Sequence, residues 1–522
     1  MKILVKGKNK KIEYRFIVSF ILFLIALIIG LFTCHSYGIS WDEFSSQTIG
    51  QVNYAYLFYG DNTLNTFGSR DYGVAFELPL FALERILRLN DFADIYLMRH
   101  IVTHIFFLLS AVALFLLIEY LYHNKLLATI GFLFLLLNPV IYGHSFFNSK
   151  DLPLMSMHIF CFLLAAIAFN KKTIFWYALL GIFCGLLTNI RIVGSLLSFT
   201  ILFFFLIDII SSWKNKDELK KNIIFCFVFL LFMTAALYLS WPYLYKHPIL
   251  NFISGFNNMA RYRWFGNVLF WGKEVNATHL DWYYGITWFL ISNPILYLVA
   301  GFGGILYFIF KFTTSPATFF INNANRNILI YVIGFIVPLV LVIVLHSVLY
   351  DSWRHLFFIY PSFILLAIFG LNKIIKTRAR TMVITILFAC FVYVGYYFIE
   401  NFPYQHVYFN ELVSDNKPEK LRKTFDMDYW GTSYQQATEY ILKTDTSNLI
   451  TIVYKPNPPL APLLIFNAKD RKRIRTISTI EDADYLVTNY RNHPQDFPIP
   501  HSKECYSIKV LNSTILSIFK LK

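Results

Sequence analysis

Eleven apolar runs, each long enough to cross a bilayer, constrain this chain more than anything else in it. They lie at roughly 16–35, 101–121, 126–143, 152–169, 173–190, 193–211, 223–241, 287–310, 328–348, 356–372 and 381–399. A spanning helix needs about 20 mostly apolar residues. Inside hydrocarbon every backbone N–H and C=O must be satisfied within the protein, so runs of this length read as helices. The expected fold class is an α-helical polytopic membrane protein. Composition agrees: 57% of the 522 residues are hydrophobic and 15% are charged, against roughly 45–50% and about 25% in soluble chains. That excludes a soluble enzyme, a disordered protein and a secreted disulfide scaffold. Cys161, Cys184, Cys226 and Cys390 lie inside apolar runs, Cys34 ends one and Cys505 stands alone. No metal spacing or disulfide framework is visible.

The net charge of +15 could suggest nucleic acid, but its distribution points elsewhere. Before the first run stand Lys2, Lys6, Lys8, Lys10, Lys11 and Arg15, which predicts a cytoplasmic N-terminus. That run lacks a small-residue cleavage site and is too long for a signal peptide. With alternation from there, the inside loops hold Lys125, Lys171, Lys172, Lys214, Lys216, Lys220, Lys221, Lys311, Arg326, Lys373, Lys376, Arg378 and Arg380. The short outside loops hold only Lys150, Arg191 and Arg354. A multi-pass protein of a cell inner membrane is expected, its working face periplasmic in a bacterium or lumenal in a eukaryote.

Three outside segments exceed ordinary connectors: 36–100, 242–286 and the tail 400–522. Loops this long are usually functional or form small domains. The division is a membrane module over 1–399 and an extracytoplasmic α/β domain over 400–522. In the tail, 431–442 has helical spacing, 455–462 is a Pro-rich break, and 449–454, 473–477, 485–488, 506–510 and 515–519 read as strands.

Candidate chemistry sits at the outside ends of the spans. Asp42 and Glu43 follow the first run directly, where carboxylates serve as a general base or as cation ligands. Ser40-x-x-Glu43 is equally a capping box with Asp42 in the first turn, a compatible reading. Phe76, Leu80, Leu83 and Leu87 share one helical face, and Glu77, Glu84 and Arg88 another. This predicts an interfacial amphipathic helix, with Glu77 either substrate-binding or part of a solvated polar face. Asp151 with Pro153 suits the start of a helix, which leaves His144 and Lys150 unexplained. Arg354 and His355 open the tenth run at the end where a cation opposes the helix dipole, unless an anion binds or the side chains snorkel to headgroups. Arg191 sits in a tight turn with little room to snorkel. Arg261, Arg263, Trp264, Trp271 and Lys273 form an aromatic and basic cluster, suited to sugars and phosphate or to an interfacial belt.

All these residues map to outside span ends, above spans with few mid-membrane charges. A carboxylate and several cations over an apolar layer suit an amphiphile with an anionic head. With Ser40-Trp-Asp-Glu43 directly after the first span, the chain resembles the GT-C membrane glycosyltransferases, in particular the protein O-mannosyltransferase and aminoarabinose-transferase branch. Phe146-Phe-Asn-Ser-Lys-Asp-Leu-Pro153, Tyr350-Asp-Ser-Trp-Arg-His355 and Asp428-Tyr-Trp-Gly431 look like pieces of bacterial members. The tail departs from the eukaryotic mannosyltransferases, since it has no repeated β-trefoil pattern.

The resemblance implies an inverting transfer of a hexosyl or pentosyl group from a polyprenyl-phosphate donor to a glycan, lipid or protein acceptor. Asp42 would be the base and Glu43 would shape the site or position the base. Lys150, Arg191, Arg261, Arg263, Arg354 and His355 would hold the donor phosphate; Glu77, His144, Asp151, Trp264, Trp271 and Lys273 would line the substrate site. This branch does not generally require a metal, metal use varies among its relatives, and no cofactor or nucleic-acid partner is implied. The rival class is a transporter or flippase of lipid-linked sugars, whose folds show inverted repeats, interrupted helices and mid-membrane charges. No repeat is evident here. A scaffolding subunit, the third class, leaves the one-faced clustering of charge unexplained.

Overall fold

The structure is a computed structural model describing residues 2–260, 264–414, 417–457, 463–500 and 503–522, with the side chains of 2–16 and 260 left undescribed. Its helices are α1 (Lys2–Thr33), α2 (Glu43–Tyr59), α3 (Glu77–Ile86), α4 (Phe92–Tyr122), α5 (Lys125–Leu136), α6 (Pro139–Phe147), α7 (Asp151–Lys171), α8 (Ile174–Ile190), α9 (Ser195–Ser211) and α10 (Lys216–Ser240). Then come α11 (Pro248–Ala260), hairpin strands β1 (Asn267–Phe270) and β2 (Lys273–Asn276), α12 (Tyr284–Ile291), α13 (Ile295–Thr314), α14 (Thr318–Ile321), α15 (Asn323–Val344), α16 (Tyr360–Ile374) and α17 (Arg380–Glu400).

Among the described residues nine helices are long and apolar enough to cross a membrane. The bent pair of α5 and α6 makes a tenth, and α8 is a shorter apolar helix. The protein is therefore a mostly helical, integral membrane protein. The eleven apolar runs are all helical, but two are broken where the sequence reading had them continuous. The run at 126–143 bends by 63° between α5 and α6. Pro139 cannot donate an N–H, and Asn138 instead caps α6 through the N–H of Ile141 (3.1 Å). The run at 287–310 is interrupted between α12 and α13, at Asn293-Pro294.

The two breaks meet. Asn138 Nδ2 donates to Asn293 Oδ1 (2.6 Å), both side chains fully buried. Asn410, beyond the last span, donates to the carbonyls of Leu290 (2.6 Å) and Asn293 (2.7 Å). Interrupted helices survive at membrane depth only when the freed backbone groups are satisfied by the protein, and these three asparagines do that.

A further difference concerns the loop expected at 36–100. α4 begins at Phe92, nine residues before the apolar run that announced it. Arg99 and His100 lie inside this extension and are buried. Arg99 pairs with Glu84 (2.9 Å) and with Glu77, and Gln47 donates to Glu84 (2.9 Å). So α3 faces the protein with its carboxylates and leaves Ile86 and Leu87 exposed. The expected solvated face of Glu77 and Glu84 is instead a buried ionic lock between α3 and α4.

At the centre of the bundle are α7 and the span Arg354–Ile374, each 83% buried along its apolar window, while α10 is 11% buried and faces lipid. After the last span the chain runs back over the bundle through residues 401–414. It then forms α18 (Lys420–Thr424), α19 (Ser433–Thr444), α20 (Ala468–Arg473) and strands β3 (Ile450–Lys455), β4 (Ile474–Thr476), β5 (Tyr485–Thr488), β6 (Glu504–Val510) and β7 (Ser513–Lys520). All five strands fall where the alternation predicts, in the order β4-β3-β5-β7-β6. β3 runs parallel to β4 and β5, and β7 antiparallel to β5 and β6. Along β3 successive side chains part to opposite faces. Tyr454 meets α19 at Tyr434 and Thr438, and Val453 packs with Leu486 and Phe519 behind. α18 and α20 carry too few apolar residues to have been visible. Part of the Pro-rich break, 458–462, lies outside the described residues.

Candidate active site

Beyond the first span the chain is pressed against the tail. A Cβ on Gly38 would lie 2.0 Å from the carbonyl oxygen of Thr432, so only glycine allows this approach. Three residues on, Trp41 N–H donates to the carbonyl of Trp430 (3.2 Å). α2 then starts at Glu43, with Asp42 at its cap position but no side-chain capping bond. Half of the expected capping box forms: Glu43 accepts from the backbone N–H of Ser40 (2.6 Å). The Ser40 hydroxyl turns away, to the carbonyl of Phe147 (3.4 Å). The other Glu43 oxygen meets His100 Nε2 at 2.8 Å. These neighbours therefore differ: Glu43 is 2% exposed and fully engaged, whereas the Asp42 side chain is 37% exposed.

Cations surround that open carboxylate. Arg354 Nη1 lies 3.4 Å and Lys150 Nζ 3.9 Å from Asp42 Oδ2. Arg354 also reaches Asp151 (3.4 Å) and Asp351 (3.1 Å), its guanidinium between the rings of Trp430 (4.5 Å) and Tyr350 (4.8 Å). Asp151 is held in turn by Arg191 (2.7 Å). Burial works to raise the Asp42 carboxyl, but Lys150 and Arg354, helped by Arg191 and opposed by Asp151, hold it below the usual value. It stays ionised, as a base must.

Local sequence explains each placement. Asn148 accepts from the N–H groups of Lys150 (3.2 Å) and Asp151 (2.9 Å) and so starts α7, the capping duty that the sequence reading gave to the Asp151 region as a whole. Arg191 ends α8 in an extended conformation. Beside it, Asn189 accepts from the N–H of Val74 (2.8 Å), and a Cβ on Gly73 would fall 1.1 Å from the Asn189 carbonyl oxygen. Arg354 and His355 stand in a 3-10 turn, Arg354–Ile359, before α16.

The structure thus gathers Asp42, Lys150, Asp151, Arg191 and Arg354, with His355 alongside, its ring 4.6 Å from that of Tyr350. Trp264 joins from the long loop, stacked on Tyr350 at 4.2 Å. Others are set apart. Glu77 gives its oxygens to Arg99 and to the Ser149 hydroxyl and presents none to a ligand. His144 is fully buried behind the site, accepting from Trp430 Nε1 (3.2 Å) and 3.1 Å from the Tyr429 hydroxyl. Trp271 and Lys273 sit on the β1–β2 hairpin, where Trp271 meets Phe425 (5.0 Å) rather than the cluster. Arg261 and Arg263 lie outside the described residues.

Sequence reasoning missed Asp351 and Arg491. Arg491, from the tail, donates to Asp351 (2.6 Å) and to the carbonyl of Tyr429. Asp351 therefore holds an arginine with each oxygen: Arg491 with one, Arg354 with the other. Asp351 lies in the Tyr350–His355 stretch quoted for the resemblance but received no role there, and no local pattern marks Arg491. Among the described residues no group of three or more His, Cys, Asp or Glu stands close enough to hold a metal ion.

Beside the cluster opens a cavity of about 230 Å³. Arg191, His355 and Tyr72 line its polar part, and Leu196, Phe256 and Leu341 from α9, α11 and α15 its apolar part. Because Arg191 precedes α9 and His355 precedes α16, the polar groups stand at the helix starts, and the apolar wall runs into the spans.

The chain is similar in fold to the oligosaccharyltransferase of Archaeoglobus fulgidus. The apo form aligns over 88% of this chain and 65% of that one, with 10% identity and a TM-score of 0.46. The complex of that enzyme, AglB, with an inhibitory peptide and a dolichol-phosphate aligns over 90% and 69%, with 10% identity and a TM-score of 0.48. This chain thus spans about two thirds of the length of that protein. No curated protein matches it. Residues 90–241, from the start of α4 to the end of α10, match the family model of the dolichyl-phosphate-mannose-protein mannosyltransferases, which bears out the resemblance to GT-C membrane glycosyltransferases; the matched stretch holds Lys150, Asp151 and Arg191 and begins after Asp42 and Glu43.

Proposed function

We propose that this chain is an inverting glycosyltransferase that moves a hexosyl or pentosyl group from a polyprenyl-phosphate donor to an acceptor on the outer face of the membrane. One observation carries the reading: a partly exposed Asp42 beside Lys150 and Arg354, in a cluster joined through Asp151 to Arg191, which with His355 lines a largely apolar groove. The groove has the chemistry to take a polyprenyl chain, with the phosphate among Arg191, His355, Arg354 and Lys150. Arg261 and Arg263, next to Trp264, would add to that set. An acceptor hydroxyl hydrogen-bonded to Asp42 attacks the anomeric carbon from the face opposite the phosphate. The new C–O bond forms as the bond to phosphate breaks. The proton passes to Asp42, and the electron pair leaves with the phosphate, whose growing charge the arginines stabilise. Glu43 positions this carboxylate through Ser40 and His100, without meeting substrate.

The flippase alternative draws nothing from the two interrupted helices. Their break points are fully buried and bonded to one another through Asn138 and Asn293. Purified protein given polyprenyl-phosphate hexoses and pentoses should release free polyprenyl phosphate and a product of inverted anomeric configuration. Movement of the intact lipid-linked sugar between vesicle leaflets, with no cleavage, would establish the flippase instead. Orientation has a native probe in Cys505, the exposed thiol of the tail. An impermeant maleimide should label it in spheroplasts and leave Cys505→Ser unlabelled. Partial burial pushes this thiol up, so labelling should quicken as pH rises. Labelling only after lysis would put the tail, and Asp42 with it, on the cytoplasmic face.

A further inference from the structure

We propose that a second cavity, separate from the groove, seats the headgroup of an anionic membrane phospholipid. This cavity measures about 260 Å³ and lies between the loop after α2 and the entry to α11, lined by Arg70, Lys246 and His247 with Tyr56, Tyr243 and Asn65. Every ionisable side chain in that lining other than the tyrosines is basic. The acids flanking it in sequence are engaged elsewhere. Asp61 accepts from the N–H and hydroxyl of Thr63 (2.8 and 2.6 Å), and Asp71 accepts from Asn258 (2.9 Å). Arg70 gives one hydrogen bond to the carbonyl of Asn65 (2.9 Å) and keeps the rest of its fork for a ligand. A packed cluster of Ile49, Val74, Ile192, Trp241 and Leu244 belongs to the body of the protein between this cavity and the groove.

The occupant follows from α11, which begins immediately after His247. Its residues Ile249, Leu250 and Ile253 fall at i, i+1 and i+4 and are 74%, 68% and 50% exposed. The opposite face packs inward through Phe252 and Met259. An outward apolar stripe of this kind belongs to a helix lying in the bilayer interface. Leu239, in the last turn of α10, is likewise 67% exposed. Acyl chains therefore have a surface beside the basic cavity, and a headgroup phosphate stands at the height of Lys246 and Arg70. Guanidinium and ammonium groups pair with phosphate through charge-assisted bonds. With no carboxylate in the lining, the cation of a zwitterionic headgroup has no charged partner there and is repelled by Arg70 and Lys246, so an anionic lipid is preferred. The same helix lines the groove with Phe256 and Met259 at its other end, so the bound lipid fixes the height of one groove wall.

The test uses delipidated full-length protein titrated with dioleoyl-phosphatidylglycerol or dioleoyl-phosphatidylcholine, bound lipid being counted by native mass spectrometry. The parent should bind the glycerol lipid preferentially. Lys246→Gln/His247→Gln, on exposed side chains that leave folding intact, should weaken it about tenfold or more, the worth of roughly one charge-assisted contact. Leu250→Gln/Ile253→Gln should weaken both lipids. Equal binding of the two lipids by the parent, or an unchanged affinity in the basic double variant, overturns the proposal. So does inorganic phosphate occupying the site while phosphatidylglycerol fails to displace it, which would make it a soluble-phosphate site. The readout involves no sugar transfer, so its outcome is independent of the transferase reading.

Discussion

Two arginines in this molecule are buried to the same degree and do opposite things. Arg99 sits between Glu77 and Glu84, and all three side chains are at most 4% exposed. Arg354 sits among Asp42, Asp151 and Asp351, two of them comparably buried, but Asp42 is 37% exposed. The first cluster is closed: both carboxylates are engaged, by Arg99 and by the neighbouring Ser149 and Gln47. The second has four cations, Arg191, Arg354, Arg491 and Lys150, against three carboxylates, and one of those carboxylates is open. A closed ionic cluster joins helices; an open one with surplus positive charge can accept an anion and leave a base free. Breaking a buried pair by removing one partner is strongly destabilising because the other charge is stranded, whereas an open carboxylate can be altered with little effect on the fold.

That contrast predicts a clean separation of activity from stability. Asp42→Asn keeps the size and polarity of the side chain but cannot take a proton. Turnover should fall by about 10²–10⁴, with the thermal midpoint and membrane yield unchanged. Normal turnover with a donor and acceptor that the parent uses would remove Asp42 from the mechanism. Glu43→Gln should cost less in turnover and more in stability, because Glu43 joins Ser40 to His100. Arg99→Ala should do the reverse of Asp42→Asn. It strands Glu77 and Glu84 between α3 and α4 and should cost about 3–5 kcal/mol of stability, read as a lowered midpoint in detergent, with near-parent kcat in whatever remains folded. If Arg99→Ala is as stable as the parent but inactive, the two clusters are not the different devices described here.

A smaller effect is expected at the seam between tail and bundle. Arg491→Gln removes the second arginine from Asp351 and frees Asp351 to compete for Arg354. Donor KM should rise about tenfold, the order of one lost charge-assisted bond, with kcat less affected. Lys376→Ala, a cation at the opposite end of the bundle, should change neither. A fall in kcat for Arg491→Gln with KM unmoved would mean that the tail acts on the chemical step rather than through Arg354.

What could be read from the sequence follows the range of the forces involved. Spans and the five tail strands are announced by periodicity and were legible. Asp42, Lys150, Arg191 and Arg354 were legible because a cation or carboxylate at a membrane boundary is costly without a partner. Asp351 and Arg491 were not, because 140 residues separate them and neither breaks a local rule. The true start of α4 was hidden by Arg99: a charge in a prospective span reads as its end until Glu77 and Glu84 are known to fold over it. The same blindness made the carboxylate face of α3 look solvated. Glycines 38 and 73 carried no readable signal, since what excludes a side chain at each is a backbone carbonyl contributed from far along the chain.

The finest test of the open cluster is its pH profile. Burial alone would raise the Asp42 carboxyl; Lys150 and Arg354 reverse that and bring it below the ordinary value. A general base works in its ionised form, so the acid limb of kcat/KM should lie below the usual carboxylate range, and the rate should be flat through mildly acidic pH. Lys150→Met deletes the largest of the lowering influences while leaving Arg354 in place, so the limb should move to higher pH, on a plateau lowered by the lost phosphate contact. Salt should do the same in the parent, more weakly, because Asp42 is partly open and its neighbours are screened. If Lys150 serves only to grip the donor phosphate, Lys150→Met raises KM at every pH and the limb stays where it was. A limb that does not move, in a variant that still folds and turns over, therefore separates phosphate binding from tuning of the base and limits the open cluster to the first.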